Sequence, residues 1–214
     1  MTERLRRLRR RELPRDTAQL APFLIGKILV HDHPHGRLSG RIVETEAYVV
    51  GDAAAHAFRG ETPRNRSLFL ERGHAYVYFI YGCWYALNVS GEVAGTGAGV
   101  LLRALEPFDG IPLMQRWRGT DRLTDLARGP GRLATALDID RRYDGIDLCT
   151  DRRLWLAVDA AAVPPSRIGR SVRIGISREM HRKLRFFERD NSFVSGSRHL
   201  NGNTPPIVSA RGRD

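Results

Sequence analysis

Five short runs of β-type residues set the strongest limit on how this chain can fold. They lie at Lys27 to His31, Arg41 to Val50, Ala75 to Tyr81, Trp84 to Ser90 and Val100 to Glu106. Their alternation of apolar and polar residues has the two-residue period of strands. Tyr81-Gly82 is a turn signal between the third run and the fourth. The pattern predicts an antiparallel sheet with hairpins. Asp16 is placed to cap a helix over Thr17 to Leu24, and helices are expected at Ile111 to Arg118 and Gly131 to Leu137. Further strands are expected near Val172 to Ile176 and Leu184 to Phe187. The expected class is α+β: a single mixed domain with a curved antiparallel sheet, a protruding β-hairpin and surrounding helices. Residues 1–12 read as a flexible basic N-terminal arm, residues 13–196 as the domain itself, and residues 197–214 as a polar C-terminal tail.

A length of 214 residues with 42% hydrophobic content suits one domain with a real core. No run approaches the roughly 18 apolar residues of a membrane helix. The first eleven residues hold six arginines without a following apolar stretch, so a secretory signal is not expected and a cytoplasmic protein is. Net charge is +11, and only Lys27 and Lys183 are lysines. An arginine-rich chain of this sign favours a polyanionic partner, DNA or RNA. Two cysteines, Cys83 and Cys149, supply neither a disulfide framework nor a zinc cage. Neither a metal nor another cofactor is expected. His31, His33 and His35 could share a strand face as metal ligands, but Pro34 and Gly36 favour a turn carrying solvent-facing histidines.

Four places carry possible chemistry. On a strand over Arg41 to Val50, Ile42, Glu44, Glu46 and Tyr48 share one face, and Val43, Thr45, Ala47 and Val49 the other. The first set joins two carboxylates and a phenol, either a surface pair or a reactive one. Six of the ten residues from Tyr76 to Tyr85 are aromatic. They suit cross-strand packing, yet Tyr81, at the expected hairpin tip, could also wedge into stacked bases. Asn88 sits in an apolar run, as a bonded structural amide or as a discriminator on a pocket floor. Arg103 lies within Val100-Leu101-Leu102-Arg103-Ala104-Leu105, where burial requires a carboxylate partner; Glu46 is a candidate. The loop Arg59 to Arg66 and the helix start at Gly129 to Arg132 offer phosphate-type donors.

Together these segments resemble the alkyladenine (3-methyladenine) DNA glycosylase family of the non-helix-hairpin-helix type. The matching stretches are Arg41-Ile42-Val43-Glu44-Thr45-Glu46-Ala47-Tyr48, Thr62-Pro63-Arg64-Asn65-Arg66, Tyr76-Val77-Tyr78-Phe79-Ile80-Tyr81-Gly82, Asn88-Val89-Ser90 and Val100 to Pro107. The resemblance implies a monomeric enzyme that flips damaged purines out of double-stranded DNA and hydrolyses the N-glycosidic bond. It implies Glu46 as the general base and Arg103 as its partner in holding water. Tyr48, His56 and Tyr78 would contact the flipped base, and Asn88 would disfavour normal guanine. Tyr81 would fill the gap left in the duplex, and Arg64 and Arg132 would touch phosphates. A backbone carbonyl near Ile174 would complete the water's cage. Glu44 is expected to be structural or supporting, with no partner assigned. Neither lysine falls in a matching stretch, so no Schiff-base lyase step is expected.

Overall fold

The computed structural model describes residues 5–80, 82–158 and 163–202. In chain order its strands are β1 (Arg6–Arg7), β2 (Ile28–His33), β3 (Gly36–Tyr48), β4 (Ala75–Ile80), β5 (Trp84–Ser90), β6 (Gly99–Pro107), β7 (Leu154–Val158), β8 (Ile168–Ser171) and β9 (Arg185–Glu188). Its α-helices are α1 (Thr17–Leu24), α2 (Ile111–Arg118), α3 (Pro130–Ala136) and α4 (Arg198–Gly202). The pairings are antiparallel, in the order β1-β7-β2-β3-β6-β5-β4, with β9 also on β3 and β8 on β9. The sheet is not closed into a barrel, so the expected α+β class holds.

Local chemistry explains the elements that were expected. The Asp16 carboxylate accepts from the Gln19 amide at 2.9 Å and so caps α1. Pro22 lacks an amide proton, and the helix closes with Ile25 N–H donating to the Pro22 carbonyl. The β4–β5 hairpin alternates cleanly. Ala75, Val77, Leu87 and Val89 enter the main core, while Tyr76, Tyr78 and Asn88 face a cavity on the other side. Gly82, in the turn, has φ +71°, a conformation that favours glycine. Tyr81 lies outside the described residues.

The long strand β3 positions the site. Its first half pairs with β2, and residues 44–46 pair with β9 instead. Against β6 the register slips twice: Ile42 faces Leu105, Glu44 faces Ala104, and Thr45 faces Leu102. Val43 is therefore an extra residue on β3, and Arg103 an extra residue on β6. The slip corrects the expected faces. Ile42 joins Ala47 in the main core, whereas Val43 packs with Ala104, Phe187 and Val194 on the opposite side. Thr45 keeps its expected side, and its hydroxyl donates to the Ala21 carbonyl of α1 at 2.9 Å.

Other expectations also change. Residues 5–12, expected to lie within a flexible arm, make defined contacts. Arg6 and Arg7 pair with Val158 and Ala157, Leu8 is buried, and the Arg7 guanidinium lies 4.4 Å from the centre of the Trp155 ring. Leucines between the arginines supply the apolar contact that anchors this stretch. The tail is likewise structured through Gly202, where α4 brings Asn201 onto Arg185. Residues 172–176 are not a strand; β8 ends at Ser171, and β7 was not anticipated. His33 and Gly36 flank the expected turn, but His31 is buried rather than solvent-facing. Its Nδ1 meets the Leu137 carbonyl at 2.6 Å and its Nε2 the Tyr143 hydroxyl at 2.7 Å. Among the described residues, no group of three or more His, Cys, Asp or Glu side chains is arranged to hold a metal ion, and no helix is long and apolar enough to cross a membrane.

Candidate active site

The two carboxylates of β3 are fully buried yet differently placed. Glu44 accepts from Arg185 Nε at 2.7 Å, Arg103 Nε at 2.9 Å, the Ser195 amide at 2.7 Å and the Ser195 hydroxyl at 3.0 Å. Burial alone would raise its pKa, but the Arg103 and Arg185 charges and these bonds hold it below the usual carboxylate range. Glu44 is thus an ionised anchor, and the partners that sequence could not assign are Arg103 and Arg185.

Glu46 has weaker compensation. Its Oε1 accepts from the Ile174 amide at 2.8 Å and lies 3.3 Å from Arg103 Nη1. Its Oε2 accepts from the Tyr48 hydroxyl at 3.0 Å. Burial dominates and pushes its pKa up, against the opposing pull of Arg103, the Ile174 amide and Tyr48. A carboxylate with raised proton affinity is a better base. Tyr48 is pushed up as well, first by burial and then by Glu46, so its phenol keeps its proton.

Beyond Tyr48, Arg103 and Ile174, the three residues that touch Glu46, is a cavity of about 620 Å³; Glu46 itself does not line it. Tyr48, His56, Tyr78, Asn88 and Arg103 line it, together with Tyr76 and residues 174–178. His56 and Tyr78 meet edge to face at 4.5 Å, and Tyr76 stacks on Tyr78 at 5.2 Å. His56 Nδ1 is 3.0 Å from the Tyr76 hydroxyl. Desolvation, and then the Arg64 charge, lower the pKa of His56, favouring its neutral form. The Asn88 amide donates to the Tyr76 carbonyl at 3.3 Å, which fixes it in the wall. Arg64 is exposed and also lines the cavity. Of the expected residues, Arg103, Tyr48, His56, Tyr78, Asn88 and Arg64 therefore converge on the cavity, and Glu46 lies behind them, bonded to Tyr48 and close to Arg103. Arg132 does not line the cavity; it sits on α3 and pairs with Asp125 at 3.5 Å. Tyr81 cannot be placed, since it is outside the described residues.

Several supporting residues were missed. Arg173 and Asp52 form a buried pair, with Arg173 Nη2 at 3.1 Å from Asp52 Oδ1. Arg173 also donates to the Ala47 carbonyl at 3.0 Å and lies 4.6 Å from the centre of the Tyr48 ring. It joins the loop that carries His56 to the segment that carries Ile174. A backbone carbonyl near Ile174 was expected for the water's cage; the Ile174 amide, which was not expected, donates to Glu46. Arg185 was also missed, although Leu184-Arg185-Phe186-Phe187 carries the same signal as Arg103, one charge within an apolar run.

Fold and site together define an α+β protein with a buried basic carboxylate behind an aromatic-walled pocket, suited to one flat, hydrogen-bonding ligand. The comparisons with known proteins agree. The family model described as methylpurine-DNA glycosylase matches residues 11–192. The chain is 65% identical over 191 residues to a protein of Mesorhizobium japonicum, covering 89% of this chain and 91% of that one. It is 54% identical over 193 residues to one of Paraburkholderia phytofirmans, covering 90% of each. A third, from Chlorobium phaeovibrioides, is 46% identical over 191 residues, covering 88% of this chain and 93% of that one. Each of the three carries the name "Putative 3-methyladenine DNA glycosylase". The chain belongs to the methylpurine-DNA glycosylase family.

Proposed function

We propose that this protein is a monofunctional DNA glycosylase that excises alkylated or deaminated purines from duplex DNA, working as a monomer in the cytoplasm. The observation that carries the reading is Glu46: a buried carboxylate of raised proton affinity behind a cavity walled by Tyr48, His56 and Tyr78.

A base inside a duplex is unreachable, so it must turn out at a cost of a few kcal/mol. Stacking on the aromatic walls returns roughly 1–3 kcal/mol per base. Tyr81 takes the vacated place in the duplex, and Arg64 and Arg132 hold phosphates. Asn88 stands where the 2-amino group of normal guanine would crowd it. Glu46 Oε2 carries the Tyr48 hydroxyl and keeps acceptor capacity for a water. As the C1′–N bond breaks, its electron pair goes to the purine and cationic character develops at C1′. The water oxygen bonds to C1′, and its proton passes to Glu46. A purine alkylated at N3 or N7 carries a positive charge beforehand and so leaves as a neutral base, whereas a deaminated purine is neutral beforehand and takes a proton from solvent as it leaves. The ionised Glu46 also stabilises the cationic sugar.

The test is release of free purine from methylated duplex DNA under single-turnover conditions. The expected product is an intact strand with an abasic site, broken only by later alkali. Borohydride should trap no covalent protein–DNA adduct: besides the terminal amine, the chain's Schiff-base candidates are Lys27 and Lys183, and neither lysine lines the cavity. A trapped adduct would overturn the monofunctional assignment. No base release by the wild-type protein would leave a nucleic-acid-binding module without catalysis, a reading that the +11 charge also suits. DNA affinity should fall steeply with salt, since phosphate contacts release counterions; an affinity unchanged by salt would count against the DNA-binding reading.

A further inference from the structure

We propose that Glu44, itself fixed by Arg185 and Ser195, is a positioning residue that holds Arg103 independently of Glu46. It would thereby keep both the arginine and a compensating negative charge in place when Glu46 takes the proton of the attacking water. The inference rests on the reading of Glu46 as the base.

The geometry separates the roles of the two carboxylates. Arg103 makes its shorter bond to Glu44, 2.9 Å from Nε, and only a 3.3 Å contact to Glu46 from Nη1. Its third nitrogen, Nη2, reaches the Ser195 hydroxyl at 3.4 Å. Ser195 in turn donates to Glu44 through both its amide and its hydroxyl. Arg185 clamps the far side, giving Nε to Glu44, Nη1 to Ser171 Oγ at 2.8 Å, and Nη2 to the Ser195 carbonyl and Asn201 Oδ1, both at 2.8 Å. Asn201 thus ties α4 into the same network.

A base that is also the only counter-ion of a buried arginine faces a conflict. Protonating it leaves the guanidinium unpaired, which is costly in a buried site. Here the cluster contains Glu44 and Glu46 against Arg103 and Arg185. When Glu46 becomes neutral, Arg103 keeps the Glu44 carboxylate. The charged and titratable groups facing Glu46 are Glu44 and Tyr48 from its own strand, Arg103 from β6 and Arg185 from the paired β9. Arg173 acts from behind Tyr48, itself paired to Asp52. The negative charge of Glu44 also contributes to the raised proton affinity of Glu46. Removing that charge leaves Glu46 under stronger cationic influence and makes it a weaker base.

The experiment is a rate–pH profile for release of 3-methyladenine from duplex DNA methylated with dimethyl sulfate, with enzyme in excess and spontaneous release subtracted. Glu44→Gln is compared with wild type and with Glu46→Gln. Its plateau rate is expected to fall by about 10–100-fold, the scale of a misplaced catalytic group. The acid limb, where Glu46 gains its proton, should move to lower pH by about one unit, the scale expected from loss of a neighbouring charge. A Glu44→Gln protein with the wild-type rate and limb overturns the proposal. So does a slower one with an unmoved limb, which marks a merely structural role. If Glu44→Gln does not fold, Glu44→Gln/Arg185→Gln removes the buried pair as a neutral unit. That variant should fold and be at least about tenfold slower; the wild-type rate there overturns the proposal. Wild type and Glu46→Gln releasing equally little base is a different result, which defeats the reading of Glu46 as the base.

Discussion

Glu46→Gln should slow single-turnover base release by at least about 100-fold, the scale of a lost general base. It should leave binding of lesion-containing duplex within a few-fold of wild type. The amide matches the carboxylate in shape. Its oxygen can take the Ile174 amide and Arg103, and its NH₂ can face the Tyr48 hydroxyl, which can accept. Arg103 keeps its shorter bond to Glu44, so the local structure survives. What is lost is the capacity to take a proton and to face the cationic sugar with a negative charge. Rate and affinity should therefore separate. Release by Glu46→Gln at the wild-type rate would remove Glu46 from the mechanism. In wild type the rate should also fall as pH drops through the raised pKa of Glu46, because only the ionised form is a base.

Asp52→Ala should be among the most destabilising single changes, at about 3–5 kcal/mol. Both Asp52 and Arg173 have fully buried side chains. Truncating the aspartate leaves a guanidinium with the Ala47 carbonyl and the face of Tyr48 but no close counter-ion. In a chain of this size each kcal/mol shifts the melting temperature by roughly 2–4 °C, so a fall on the order of 10 °C is expected. Asp52→Ala/Arg173→Met removes both charges and should recover much of that loss. A thermal melt of Asp52→Ala coinciding with that of wild type would show that the pair carries no such weight. Activity should suffer too, because Arg173 supports Tyr48 and adjoins Ile174, both of which touch Glu46.

The sequence by itself determined what depends on near neighbours. The two-residue alternation placed β4 and β5, and with them Tyr78 and Asn88 on the cavity side. Asp16 marked the start of α1 because a cap acts three residues away. Glu46 and Tyr48 share a face for the same reason of period, and their hydrogen bond spans two residues. The lone charge in the apolar β6 run signalled a buried arginine, which Arg103 is.

Tertiary structure decided the rest. A simple strand period puts Ile42 beside Glu44, but the extra residues Val43 and Arg103 break the phase, and pairing between distant strands sets their position. Charge partners were illegible for a related reason. Glu44 lies 59 residues from Arg103 and 141 from Arg185, and Glu46 lies 128 from the Ile174 amide that holds it. A carboxylate's proton affinity depends on burial and on which cations lie within a few ångströms. Neither is a property of the segment that carries it. Two glutamates separated by one threonine thus become an ionised anchor and a carboxylate of raised proton affinity only when β6, β9 and the 172–178 segment close around them.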